Sequence, residues 1–232
     1  MDNLTTPPTH IGIIMDGNRR WANKEGLPTL KGHQEGLKTM VSIAEHIFSR
    51  GAKYLSVYAF STENWNRSES EVEYLMDLVP FAFKKYLEKL DEQNIRLLFM
   101  GSSTGVKKSI VELCESAEKQ TANNSGGTLC VCFNYGGRQE IIEAYNKYAK
   151  EVQKENHVLH LDEFSKYLYH PEVPDVDLLI RTSGEKRVSN FMLWRIAYSE
   201  LYFTDKLWPD FKASDIEQAI KEYNRRQRRY GV

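Results

Sequence analysis

Short apolar stretches rich in branched and aromatic residues, separated by longer amphipathic ones, constrain this chain more than any other feature. Residues 11–15, 54–60, 95–100, 128–133 and 176–180 each read as a buried strand. Between them, apolar positions recur every three or four residues. In 35–48, Leu37, Met40, Val41, Ala44, Ile47 and Phe48 make one helical face, and Gly51 follows as a stop. Residues 71–90 carry a wider stripe, which fits either a helix wedged into a large core or one lining an apolar cavity. Residues 105–120, 139–154 and 214–229 complete the helical set. Parallel strands need crossovers, and these helices supply them. The expected fold is therefore α/β: one domain over residues 1–232, with a central, mostly parallel sheet flanked by helices.

Composition narrows the function classes. With 31 basic and 32 acidic residues the formal net charge is −1, so no global basic field recruits nucleic acid or anionic lipid. Apolar runs fall far short of the ~18 residues that a spanning helix needs. Residues 1–10 are polar, contain Pro7 and Pro8, and lack the pattern of a secretory signal. The cysteine count is 3; Cys130 and Cys132 would share one face of a strand, and four-thiolate zinc spacing is absent. These features imply a reduced, cytoplasmic protein.

Three clusters follow strand ends, where open parallel sheets bind ligands. The first is Asp16-Gly17-Asn18-Arg19-Arg20-Trp21: a carboxylate, a glycine allowing close backbone approach, an amide and two guanidinium forks suited to phosphate. The second is Ser61-Thr62-Glu63-Asn64-Trp65-Asn66-Arg67, which could hold a polar head with an apolar tail, or simply precede a helix capped by Ser68. The third is 181–190, with Arg181, Lys186, Arg187, Val188 and Ser189; it lacks the Gly-Lys-Ser/Thr order of a nucleotide P-loop. Arginines in two separate loops imply two anionic groups. The lone carboxylate of Asp16 beside them implies Mg²⁺ brought in with phosphate. The basic C-terminus, 225–229, reads on its own as a solvated face.

Taken together, these segments resemble the cis-prenyltransferases, the family of undecaprenyl diphosphate synthase. The resemblance rests on HIGIIMDGNRRWA (10–22), Gly32-His33, YAFSTENWNR (58–67), NYGGR (134–138), RTSGEKRVSNFMLW (181–194), AYSELYF (197–203) and WPDF (208–211). It implies a parallel sheet with helices enclosing an apolar tunnel, a homodimer, and Mg²⁺ as cofactor. The implied reaction is repeated condensation of isopentenyl diphosphate with an allylic diphosphate, farnesyl or geranyl diphosphate, making Z double bonds. By resemblance Asp16 is the catalytic, metal-linked aspartate, and Gly17, Asn18, Arg19, Arg20, Trp21 and His33 cradle the allylic diphosphate. Ser61, Thr62, Glu63, Trp65 and Arg67 form the substrate loop, and Asn64 takes the position assigned to proton removal. Arg181, Arg187, Val188 and Ser189 belong to the isopentenyl diphosphate site, and Glu200 is a second metal-linked carboxylate. Arg229 and Gly231 belong to a tail motif reaching across the dimer. Contact with a membrane is expected only peripherally, at product release.

One departure stands out. The family's Arg-x-x-Gly-His pattern reads Thr29-Leu30-Lys31-Gly32-His33 here, so one diphosphate contact is missing unless the point charge of Lys31 substitutes. Position 186 is Lys, where some members carry a metal-linked histidine. For product length, small Ala59 favours a long tunnel and bulky Phe133 a short one, and Gly127 would widen the base. No insertion extends 71–90. The expected product is near C50–C55, a lipid-carrier precursor. The alternatives are a short-chain or branching synthase and a non-catalytic accessory subunit; the latter conflicts with the presence of Asp16, Arg20 and Glu200.

Overall fold

The computed structural model describes residues 6–152 and 157–226. Strands β1 (His10–Ile14), β2 (Tyr54–Ser61), β3 (Ile95–Met100), β4 (Gly127–Tyr135), β5 (Leu178–Arg181) and β6 (Glu200–Phe203) form one sheet in the order β3-β4-β2-β1-β5-β6. Every pairing is parallel. The helices are α1 (Asn18–Lys24), α2 (Thr29–Ser49), α3 (Glu69–Glu92), α4 (Lys108–Gln120), α5 (Gly137–Glu151), α6 (Leu161–Phe164) and α7 (Ala213–Arg225). All strand carboxyl ends therefore share one edge. The chain leaves β1 for β2 on one side, while β5 and β6 lie on the other, so the crevice where strand order reverses opens between β1 and β5.

Alternation along the strands divides the core in two. Ile11, Ile13, Leu55, Val57, Leu129 and Ile180 pack against Val41, Ala44 and Ile47 of α2 and Ile216 and Ile220 of α7. On the other face Leu98, Cys130, Cys132 and Leu179 pack with Tyr135, Phe191 and Met192. Both strand cysteines are fully buried on that face, as their spacing implies. Each fully buried branched side chain contributes about 1.5–3 kcal/mol relative to exposure.

Three elements are additional to the sequence expectation: β6, α1 and the single-turn α6. Strand β6 is a four-residue edge strand whose residues are half-buried or exposed, and its apolar run is only three residues long. Helix α1 buries only Ala22 and has no periodic stripe. Helix α2 starts at Thr29, six residues earlier than its apolar pattern does, because Pro28 sits at its N-cap. Gly32 belongs to that extra length, and Gly36 lies one turn further on. A Cβ on them would lie 2.1 Å from the Asn18 carbonyl and 2.3 Å from Asn18 Oδ1 respectively, so these glycines let α1 seat on α2.

Helix α3 contains Pro80, which cannot donate a backbone hydrogen bond. Its wide stripe lines a cavity: Leu75 and Leu90 are buried, but Leu78, Val79, Ala82, Phe83, Tyr86 and Leu87 between them are only half-buried. No helix among the described residues is long and apolar enough to cross a membrane.

Candidate active site at the carboxyl edge of the sheet

Asp16 follows β1 directly and stands at the switch-point crevice. Thr182, just past β5, fixes its backbone: the Thr182 hydroxyl accepts from Asp16 N–H at 3.0 Å and donates to Asp16 C=O at 2.7 Å. Gly17 then turns the chain at φ +108°, where a Cβ would come within 2.9 Å of Ser183 Oγ and 3.1 Å of Leu207 Cα. Only glycine fits that turn. Helix α1 begins immediately, which brings Arg20 back over Asp16.

The Asp16 carboxylate accepts from Arg181 Nη2 at 2.9 Å and from Arg20 Nη2 at 3.4 Å. Arg181 is buried and also donates to the Arg187 carbonyl at 2.6 Å and Ser189 Oγ at 2.7 Å. The third cluster is thus folded around Arg181. Ser183, Ser189, Asn190 and Met192 all adopt positive φ in this stretch, conformations that cost non-glycine residues energy and gather at functional sites. Arg187 pairs with Glu185, and Arg20 reaches Glu185 at 3.4 Å. Lys186 is exposed, and Val188 packs into the second core.

The second cluster forms a short 3₁₀ turn over residues 62–66. Asn64 Oδ1 accepts the Ser61 N–H at 3.1 Å, so this carboxamide oxygen is turned onto its own loop. Trp65 Nε1 donates to Asn134 Oδ1 at 2.8 Å, and its ring meets Phe60 edge-on at 5.2 Å. Thr62 donates to Glu63. Asn190 Nδ2 donates to Glu63 Oε1 at 2.9 Å, while its own oxygens accept from Gly137 N–H and Arg138 N–H. Asn190 therefore ties the second cluster, the third cluster and the Asn134–Arg138 turn together. Partial burial pushes the Glu63 carboxyl up, but hydrogen bonds led by Asn190 outweigh it and hold it below the usual range.

His33 joins from α2. It is buried and its Nε2 has no hydrogen-bond partner, standing 3.5 Å from Glu71 Oε1. Burial, then the Arg67 charge, lowers its pKa. Asp16, Gly17, Asn18, Arg19, Arg20, His33, Arg67, Glu185 and Arg187 line a bowl of about 400 Å³. Trp21 turns away, donating to Asp210 at 2.9 Å.

Behind the bowl lies an apolar cavity of about 130 Å³, lined by α2, α3 and the sheet. Their linings have no residue in common, but α2 contributes to both. One turn past His33, α2 presents Leu37; one turn past Arg67's partner Glu71, α3 presents Leu75; and Phe60 precedes Ser61. From Leu75 to Leu90 this wall runs about 22 Å at helical rise. Ala59 and Phe133 both line it. Gly127 does not: a Cβ there would lie 2.3 Å from Phe48 Cδ1, so the space beside it is filled and it widens nothing.

Some expected residues are not brought here. Glu200 starts β6, level with Leu178 at the amino end of β5, whereas Asp16 lies past the opposite end of the sheet. Glu200 pairs with Arg226 at 2.9 Å instead. Lys31 is exposed and donates to Gln34, so it does not replace the missing arginine in the bowl. Arg229 and Gly231 lie outside the described residues. Among the described residues no cluster of three His, Cys, Asp or Glu side chains is ready to hold a metal. Conversely, Glu71 emerges as a site residue that the strand-end reading gave no role, while Thr182 and Asn190, members of the third cluster, brace the backbone and neighbouring loops. For Glu71 the available signal was Arg67 four residues earlier, at ion-pairing distance across a helix start.

An arginine-lined bowl at the switch point of a parallel sheet, with an apolar cavity one helical turn further along α2, fits a prenyltransferase. The chain belongs to the undecaprenyl diphosphate synthase family of such enzymes: the family described as "Putative undecaprenyl diphosphate synthase" matches residues 14–231. An isoprenyl transferase of Fusobacterium nucleatum is 50% identical over 224 residues, covering 97% of this chain and 96% of that one. One from Thermotoga maritima is 45% identical, covering 97% of each. Among solved structures, lavandulyl diphosphate synthase from Lavandula x intermedia in complex with dimethylallyl diphosphate superposes with TM-score 0.92 at 33% identity, covering both chains fully. A probable undecaprenyl diphosphate synthase from Campylobacter jejuni gives TM-score 0.82 at 31% identity, covering 97% of this chain and 99% of that one.

Proposed function

We propose that this enzyme condenses isopentenyl diphosphate repeatedly with an allylic diphosphate, farnesyl or geranyl, to a Z-polyprenyl diphosphate of about C50–C55. The observation that carries this reading is that helix α2 lines the bowl with His33 and, one turn on, the apolar cavity with Leu37: a charged head and a growing hydrocarbon tail have neighbouring, chemically matched places. Arg19, Arg20 and Arg67 would neutralise the departing diphosphate where its charge builds, and Arg181 and Arg187 would hold the second diphosphate. The cavity excludes water from the cation-like allyl fragment.

The site's donor set fits Mg²⁺. Asp16 offers hard carboxylate oxygens with 29% side-chain exposure, and Ser183 Oγ beside Gly17 is buried without a partner. Mg²⁺ characteristically binds through one or two carboxylates plus substrate phosphates, so a single carboxylate suffices. Asp16 would hold the ion, which supplies further charge neutralisation of the leaving group when bound. Asn64 is no base: a carboxamide is not basic, and its oxygen already accepts from Ser61. An oxygen of the released diphosphate, or water, is the better acceptor for the proton lost from isopentenyl diphosphate. Each added CH₂ buried contributes about 0.8 kcal/mol, so longer products bind more tightly and release slows.

The same proposal includes a cytoplasmic homodimer meeting a membrane only peripherally; what supports the dimer is the β6 edge, with Leu201 38% and Tyr198 73% exposed. The likeness to lavandulyl diphosphate synthase favours a second reading, a short-chain or branching synthase. Incubation with labelled isopentenyl diphosphate and dimethylallyl, geranyl or farnesyl diphosphate, followed by product chromatography, decides. A Z-polyprenyl ladder ending near C50–C55 supports the first reading and a C10–C15 product the second. No incorporation with Mg²⁺ present overturns both.

A further inference from the structure

Glu71 occupies an unusual place. It lies in the first turn of α3, where a carboxylate is electrostatically favoured by the helix itself. Yet its side chain, only 12% exposed, reaches three groups of the anion bowl on three different segments. Arg67 Nη1 donates to Oε1 at 2.7 Å, His33 Nε2 stands 3.5 Å from the same oxygen, and Arg19 Nη1 lies 3.5 Å from Oε2. Glu69 and Glu73, on the same turn, are exposed. The bowl itself is lined by four arginines, Arg19, Arg20, Arg67 and Arg187, against Asp16 and Glu185. Glu71 is therefore the acidic group behind the wall, facing the backs of the cations that face the ligand.

We propose that Glu71 is a positioning residue that holds Arg67 in place while weakening the bowl's grip on diphosphate, so that the anion leaves after each round. This rests on the diphosphate reading above. An iterative enzyme has to release inorganic diphosphate every cycle. A site of clustered guanidinium groups without an internal counter-charge retains it. A carboxylate that pairs with the guanidinium groups holding an anion repels that anion and competes for the same N–H donors. The long contacts to Arg19 and His33 leave those donors free to turn to a ligand, whereas the 2.7 Å bond keeps Arg67 fixed.

Charge and position are separable by substitution. Glu71→Gln keeps an oxygen for Arg67 and removes the charge; Glu71→Asp keeps the charge in the same turn; Glu73→Gln removes a neighbouring exposed charge. Calorimetric titration with inorganic diphosphate is the direct reading. Glu71→Gln is expected to bind it about tenfold more tightly than the parent, with kcat and the KM for the allylic diphosphate both reduced. Glu71→Asp and Glu73→Gln are expected to stay within about threefold of the parent. Unchanged or weaker binding by Glu71→Gln overturns the proposal, because a purely structural ion pair predicts a raised KM. Equal tightening by Glu71→Asp overturns it too, since geometry rather than charge would then set the grip. Absence of diphosphate binding by the parent protein is a different failure, that of the catalytic reading itself. Thermal unfolding of each variant confirms that folded protein is compared.

Discussion

Two charge clusters among the described residues each centre on a buried arginine, Arg195 in one and Arg181 in the other, and they are finished differently. In the first, Arg195 and Glu140, 2% and 1% exposed, pair at 2.7 Å between α5 and the segment before β6. Arg195 also donates to the carbonyls of Tyr169, His170 and Val173, while Glu140 accepts from Tyr169 N–H and the Tyr135 hydroxyl. Neither residue leaves a buried side-chain atom without a partner. The second cluster, at the switch point, pairs Asp16 with Arg181 but leaves Arg181 Nε, Ser183 Oγ and His33 Nε2 buried and unsatisfied. Open valences that cost stability persist where a ligand closes them; closed ones hold the scaffold.

Removing one partner tests that contrast most severely in the closed cluster. Glu140→Gln leaves the Arg195 charge buried and unpaired, and is expected to lose up to about 5 kcal/mol in urea unfolding. A loss under about 1 kcal/mol would erase the distinction. In the open cluster, Asp16→Asn is expected to cut turnover about a thousandfold, ~4 kcal/mol in the barrier. The same urea measurement should move by less than it does for Glu140→Gln, because Asp16 is 29% exposed at the open bowl whereas Glu140 is 1% exposed.

His10 extends the closed side and adds a pH reading. Its Nδ1–H donates to the Pro174 carbonyl and its Nε2 accepts from Ser56, each at 2.8 Å, which fixes the neutral ring. Burial pushes its pKa down to about 4, and the Arg195 charge adds to that shift. The unfolded chain therefore binds a proton near pH 6.5 that the folded chain refuses until about pH 4. Stability from this group is complete above pH 6.5 and falls as pH drops through that window, by roughly 3 kcal/mol in all. His10→Gln should flatten that part of the urea-midpoint profile; an unchanged slope would assign the loss to carboxylates instead.

The smallest expected effect concerns the bowl's missing cation. Thr29 opens α2 and Lys31 is engaged with Gln34, so neither supplies a fork. Thr29→Arg should lower the KM for the allylic diphosphate about threefold, under 1 kcal/mol. An unchanged or raised KM would mean that the existing arginines saturate the site.

What the sequence disclosed followed from local chemistry. The five core strands showed themselves because Ile, Val, Leu and Phe crowd into short runs, and the three strand-end clusters because parallel topology sends every such loop to one edge. Strand β6 stayed hidden because an edge strand of Glu-Leu-Tyr-Phe has one neighbour and an apolar run of only three residues. Helix α1 was equally hidden, since its stability comes from contact with Gly32 and Gly36 rather than from a stripe of its own. The position of Glu200 depends on the direction and register of β6 against β5, which no local pattern encodes. Glu71 and Asn190 act across loops far apart in the chain, and only the folded arrangement brings their partners to them.

Pro80 has a consequence for how the cavity fills. Lacking an N–H, it leaves the Met76 carbonyl without its intrahelical rung, in the first third of the wall that runs from Leu75 to Leu90. On the proposed reading a lengthening hydrocarbon would press on that wall from within, and outward bowing would cost least where a rung is already absent. The container would then give first at that one point.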